Sequence, residues 1–177
     1  MAESKLNRET PARDAPFDGR GYRQALGRYA TGITIVTALG PSGNPVGLTA
    51  NSFNSVSLDP PLVLWSLAKN SSNLAAFAHA DHFAVNVLAA DQLDLSNLFA
   101  KPDSVNKFAG LDYQPGLGGV PLLPDCVARF QCRFQFTYEG GDHLIFVGRV
   151  LAFDETDRSA LIFHRGRYAI SEPHPDG

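Results

Sequence analysis

Between Ala128 and Phe136 apolar and polar residues alternate without a break: Ala128, Phe130, Cys132, Phe134 and Phe136 against Arg129, Gln131, Arg133 and Gln135. An extended chain points successive side chains to opposite faces, whereas a helix would scatter these residues around its circumference. The spacing predicts a strand with one core face and one wet face. Further strands are expected at residues 32–39, from 46 onward, and at 62–68, 82–89, 143–154 and 160–163. The turn-forming run Gly40-Pro41-Ser42-Gly43-Asn44-Pro45 makes a hairpin of the first two. Residues 62–68 and 143–154 are apolar enough to be buried on both faces, the second between a barrel interior and another layer or subunit.

Helices are expected in three places. One starts at the N-cap Asp18, carries Tyr22, Ala25, Leu26 and Tyr29 on one face and is weakened by Gly27; a second covers 74–80 behind Asn73; a third covers 91–100 with Leu95, Leu98 and Phe99 sharing a face. Residues 110–124, rich in Gly and Pro, are expected to be irregular and to form part of a pocket rim. Short strands at hairpin spacing with few helices between them argue for a closed antiparallel barrel rather than a doubly wound sheet.

At 177 residues and 19.1 kDa the chain has room for one domain, expected over residues 17–172 behind a loose tail at 1–16. The tail mixes charges with Pro11 and lacks the apolar core of a signal peptide. No later apolar run reaches the ~20 residues of a membrane helix, so a soluble, cytoplasmic protein is expected. The net charge of -3, with acids and bases interspersed, shows no footprint for nucleic acid or an anionic membrane. Cys126 and Cys132 are placed in one strand about 20 Å apart, which excludes a disulfide between them and leaves two buried free thiols. The five histidines show no zinc-binding pattern, and neither a Gly-x-Gly-x-x-Gly turn nor a Gly-x-Ser-x-Gly elbow occurs.

Chemistry is concentrated in the small polar stretch Gly47-Leu48-Thr49-Ala50-Asn51-Ser52-Phe53-Asn54-Ser55-Val56-Ser57-Leu58-Asp59-Pro60-Pro61. Gly47, Ala50 and Ser52 leave room for backbone groups to approach a flat ligand; a polar β-turn with ordinary Asn and Ser chemistry is the alternative. Pro60 and Pro61 are expected in the turn that closes the stretch. Downstream, Lys69-Asn70-Ser71-Ser72-Asn73 gathers donors that suit a phosphate or make a solvated loop. Asn106-Lys107-Phe108 is either a ligand contact or an exposed lysine beside a core phenylalanine.

These stretches, together with Gly32-Ile33-Thr34-Ile35-Val36-Thr37, Gly141-Asp142-His143 and His164-Arg165-Gly166-Arg167-Tyr168, occur in the order and at the separations of the flavin reductase-like family, which the chain resembles from about Tyr22 to about Tyr168. The resemblance implies a mainly β fold with short helices, a split β-barrel of Greek-key, FMN-binding type, with flavin bound at a homodimer interface. It implies an NAD(P)H:flavin oxidoreductase that passes hydride from NADH or NADPH to FMN or FAD and supplies reduced flavin to a separate flavin-dependent monooxygenase. By the same resemblance Thr49, Ala50, Asn51 and Ser52 border the ring and ribityl chain, with Ser66, Leu67 and Ala68 beside them. Lys69, Ser71, Ser72 and Lys107, the last paired with Phe108, hold the phosphate or adenine side. His143 is the expected catalytic residue on the nicotinamide side, with Tyr168 and Arg167. Relatives often carry Thr where this chain has Asn73. A flavin-storage protein, or a flavoenzyme with another electron acceptor, would share the same pocket.

Overall fold

The computed structural model describes residues 17–101 and 106–176; the expected tail at 1–16 lies outside them. Helix α1 (Gly19–Leu26) starts where Asp18 Oδ1 accepts the N–H groups of Arg20 and Gly21, each at 3.0 Å, and stops at Gly27. Its apolar face forms as expected but stays open among the described residues: α1 buries none of its residues, Tyr22 meets Phe17 edge-on at 5.2 Å between ring centroids, and Tyr22, Leu26 and Tyr29 are exposed. The chain continues through β1 (Thr31–Gly32), β2 (Thr34–Leu39), β3 (Pro45–Ala50), β4 (Asn54–Leu58), β5 (Pro61–Ala68), α2 (Leu74–His79), β6 (His82–Val87) and α3 (Leu93–Ala100). Two short strands, β7 (Gln114–Pro115) and β8 (Pro121–Leu122), precede the long hairpin of β9 (Ala128–Gly140) and β10 (His143–Glu155), and β11 (Leu161–His164) and β12 (Arg167–Ile170) end the fold.

Seven strands form one antiparallel sheet in the order β3-β2-β6-β9-β10-β5-β4. In a flat sheet β3 and β4 would lie about 29 Å apart, six gaps of roughly 4.8 Å. Only residues 51–53 join them, a link that spans at most about 14 Å between Ala50 and Asn54. The sheet must therefore curl until its two ends meet, which makes it a split barrel. Ser52 holds the seam: its hydroxyl accepts from Ser66 N at 2.9 Å and donates to Ser66 O at 3.3 Å.

Trp65, Phe77, Phe83 and Phe146 fill the interior, with Trp65 5.0 Å from Phe146 and 4.9 Å from Phe77 between ring centroids. Such contacts add about 0.5–1.5 kcal/mol each beyond the area they bury. A second cluster, including Ile33, Leu88, Phe99, Phe108 and Leu161, packs α3 and the small β1-β11-β12 sheet against the barrel. Asn86 is fully buried and fully used. Its amide donates to Ile35 O and Thr37 Oγ1, and its oxygen accepts from Leu123 N at 2.9 Å. That network pins residues 120–123 to the β2–β6 face, so the 110–124 segment, expected to be irregular but holding β7 and β8, covers the sheet there and supplies none of the groove residues described below.

Several expectations are corrected. The strand at 32–39 is split at Ile33, whose backbone bonds Leu161 and Leu88 instead of a β3 partner. Residues 54–58, part of the polar stretch at 47–61 where no strand was expected, are the edge strand β4, and Pro61 opens β5 rather than sitting in the turn. Asn73 precedes α2 without capping it through its side chain; its own N–H donates to Ser71 Oγ. Cys126 lies before β9, not in the strand of Cys132, and both thiols are free and buried. The alternation in β9 holds only to Phe134. An unpaired Gln135 bulges out, so Phe134 faces Gly148 and the core while Phe136 pairs with Val147 on the opposite face. The outer faces of β5 and of the second half of β10 are open within this single chain, so burying them would take another subunit: Leu62, Leu64 and Ser66 are half-buried and Phe153 is exposed.

Candidate functional site

The end of β3, the end of β5 and the start of β10 converge on one side of the barrel. There they enclose a cleft of about 370 Å³ lined by Leu48, Thr49, Ala50, Asn51, Ser52, Ser66, Leu67, Ala68, Ser71 and His143. All but Leu48 were expected at the site from sequence. The register explains the gathering: His143 pairs with Ala68 and Ile145 with Ser66, so the imidazole is held beside the exit of β5.

Thr49 and Ser71 are shared with a second hollow of about 370 Å³ that also takes in Ser72, Phe99, Lys101 and Lys107. Lys107 in turn joins a third recess of about 460 Å³ bounded by Pro45, Gly47, Asn106 and Phe108. The result is one groove, with neutral small side chains and a histidine at one end and hydroxyls and lysine at the other. Lys107 is buried, its Nζ donating to Phe99 O at 3.0 Å, which removes the reading of an exposed surface lysine. Gly47 serves packing more than ligand approach. A Cβ there would lie 2.8 Å from Phe99 Cε1 and 3.2 Å from Phe108 Cζ.

His143 Nδ1 lies 2.7 Å from Asp142 Oδ1. The hydrogen bond from His143, and then its charge, holds the Asp142 carboxyl below the usual carboxylate range. An ionised carboxylate can only accept, so Nδ1 carries the proton and a neutral ring keeps Nε2 as an acceptor. Lys69 is engaged away from the groove: its ammonium pairs with Glu139 and its backbone N–H donates to Asp142 O at 2.9 Å. Together these contacts tie the exit of β5 to the β9–β10 turn that presents His143.

Tyr168 and Arg167 do not line the cleft in this chain. Arg167 is exposed opposite His164 in the β11–β12 hairpin, and Tyr168 Oη lies 3.0 Å from Ser96 Oγ and donates to Asn97 Oδ1 at 3.1 Å. Ser96, absent from the expected site, is the link: its carbonyl accepts Thr49 Oγ1 at 2.7 Å. A serine set between Leu95 and Phe99, on the face α3 turns to the core, was the signal that could have found it. Cys126 and Cys132 are pushed up to about 12 by burial, which removes thiolate chemistry near neutral pH. Among the described residues no cluster of His, Cys, Asp or Glu could hold a metal. What the groove offers is hydrogen bonds, a histidine and one buried cation, a donor set that fits a flat, amide-rich ring carrying a phosphate.

Residues 26–172 match the family described as flavin reductase like domain. The chain belongs to this family. The FMN reductase (NADH) SmoA of Agrobacterium fabrum is 48% identical over 151 residues, 85% of this chain and 85% of that protein. A flavin-dependent trigonelline monooxygenase, reductase component, of Acinetobacter baylyi is 45% identical over 155 residues, 88% of this chain and 50% of that protein. The chain thus spans about half the length of some of the curated relatives it matches. Among solved structures, the Streptomyces globisporus NADH:FAD oxidoreductase SgcE6, in complex with NAD and FAD fragments, superimposes with a TM-score of 0.82 at 38% identity, over 90% of this chain and 94% of that one. The fold of this flavin reductase-like chain is the split barrel that the sequence motifs implied.

Proposed function

We propose that this chain is an NAD(P)H:flavin oxidoreductase that reduces FMN or FAD and releases the reduced flavin to a separate flavin-dependent monooxygenase. When bound, the flavin supplies the redox chemistry, accepting hydride from nicotinamide C4 at its N5. The chain's own residues bind and orient. Thr49–Ser52 and Ser66–Ala68 present backbone and small polar groups to the ring, while Ser71, Ser72 and Lys107, with Phe108 behind them, take the phosphate side. His143, fixed through Nδ1 by Asp142, positions the reductant. Arg167 and Tyr168 act from the adjoining hairpin, Tyr168 through Ser96.

The observation that carries this reading is the single groove in which His143 stands beside the ends of both polar strands. The names of the relatives support NADH as reductant and either flavin as acceptor. A homodimer, a cytoplasmic location and a single domain over 17–172 belong to the same proposal; no helix of the described residues is long and apolar enough to cross a membrane.

The test is NADH and NADPH oxidation by purified protein with and without added FMN or FAD. Oxidation that depends on flavin is expected. Flavin binding without turnover would replace this reading with a storage role, and turnover that requires a different acceptor would replace the acceptor.

A further inference from the structure

On the barrel flank, α1 and the tip of the β11–β12 hairpin border a cleft of about 370 Å³ lined by Arg20, Arg23, Arg28 and Arg165, with Arg23 Nε donating to Gly19 O at 3.3 Å. The chain as a whole is net negative, so four arginines lining one hollow are not a reflection of composition. Among the described residues no carboxylate pairs with any of them. Asp18, the acid at the head of α1, spends its Oδ1 on the N–H groups of Arg20 and Gly21.

The helix end does not cancel this charge. Carbonyls in the last turn of a helix repel anions when they are left open. Here, apart from Gln24 O, which has no backbone partner among the described residues, the carbonyls of Arg23, Ala25, Leu26 and Gly27 accept from Gly27, Arg28, Tyr29 and Arg165 respectively. The last of these bonds, Arg165 N to Gly27 O at 2.7 Å, also straps the hairpin tip to α1 and fixes the Arg165 backbone at the mouth. Arg165 and Gly166 both have positive φ, +53° and +74°, as a two-residue I′ turn requires. Asn, Asp or Gly is usual at the first of those positions, and an arginine there holds a strained backbone while presenting a fork at the cleft.

We propose that this cleft binds a phosphate group of a nucleotide. Guanidiniums recognise phosphate through paired, charge-assisted hydrogen bonds, and several around a concave site match a compact dianion better than a broad protein surface. The site is separate from the flavin groove, shares no lining residue with it, and does not depend on the reductase reading. The phosphate can come from the adenylate half of a dinucleotide substrate or from a free nucleotide.

Calorimetric titration of the full chain with inorganic pyrophosphate, in the presence of excess FMN so that the lysine end of the groove is filled, tests the proposal. One pyrophosphate per chain is expected, weakening as salt is raised and losing at least tenfold in affinity in Arg23→Gln/Arg165→Gln. Arg20→Gln and Arg28→Gln, each alone, give the same reading should the double variant fold poorly. KM values of the folded variants then separate the sources. A rise for NADPH over NADH, or for FAD over FMN, identifies the dinucleotide, and unchanged values identify a free nucleotide. No pyrophosphate binding to the wild type, or binding that the arginine variants leave intact, overturns the site. Because the readout is binding of pyrophosphate, it stands or falls apart from flavin reduction.

Discussion

While Asp142 is ionised, His143 must turn its Nδ1 proton toward the carboxylate, which leaves Nε2 as the other polar atom the ring offers to the cleft. Replacing His143 by Ala is expected to slow flavin reduction on the order of a hundredfold, the cost of a small misplacement of reacting groups, because the reductant loses its positioning contact. Flavin affinity should stay nearly intact, since Thr49–Ser52 and Ser71–Ser72 are separate contacts. Anaerobic stopped-flow reduction paired with a flavin titration reads both, and a variant that reduces at the wild-type rate rejects the role. The Asp142 partner makes a pH prediction. Its carboxyl is lowered, so the contact is present at and above the usual carboxylate range and is lost only as pH falls through the depressed value. Nitrogen NMR of the His143 ring should therefore show Asp142 protonating below its ordinary range. The cysteines titrate the other way. With both thiols pushed up to about 12, native protein should be nearly inert to a thiol reagent at pH 8 and react at two sites once unfolded. Fast labelling of the native state would show that these residues are not buried as described.

Individual elements reach the site through others. Thr49 on β3 donates to the carbonyl of Ser96 on α3, and Ser96 Oγ meets Tyr168 on β12, so three distant segments set the position of one strand end. Tyr168→Phe removes the hydroxyl shared by Ser96 and Asn97. A loss of about 0.5–1.5 kcal/mol is expected from one net hydrogen bond, together with a severalfold weaker flavin affinity, measured by urea unfolding and by titration. Stability that falls while flavin affinity stays fixed would confine Tyr168 to a structural role. The sequence carried the strands whose apolar residues recur at period two or in unbroken runs, and the helix that begins at Asp18, because those signals are local. It also carried the polar strand ends around Thr49 and Ser66, through motifs whose order and separation match a family. It did not carry the bulge at Gln135, since a single unpaired residue leaves the written alternation intact while reversing which side Phe136 faces. Nor did it carry β4, whose Asn and Ser residues belong to a polar stretch with no strand signal of its own and pair along the edge that β5 offers. Ser96 was legible only as a serine on the core face of α3, and not as a link to the site, because its partners lie 47 and 72 residues away.

At the scale of the whole molecule, the reversal at Gln135 has the larger consequence. Past the bulge, Phe136 and Tyr138 join Val147, Ile145 and Leu64 on the sheet face that also carries His143 and Ser66. An apolar surface, with Phe136 46% and Tyr138 54% exposed, thus runs directly into the mouth of the cleft. Apolar patches of this kind, continuous with a binding site, mark surfaces that a partner covers. A second copy seated there would wall the open side of the groove and exclude water from it, which is how association would serve hydride transfer. The expected state is therefore a homodimer whose interface includes Phe136 and Tyr138. Phe136→Asp/Tyr138→Asp should shift sedimentation equilibrium toward monomer. Flavin affinity and NADH oxidation should fall with it, and in the wild type both should fall on dilution below the dimer's dissociation constant. The aspartates replace exposed side chains, so circular dichroism should show an intact fold. A double variant that is monomeric and fully active would separate this surface from the reaction, and one that remains dimeric would place the interface elsewhere on the chain.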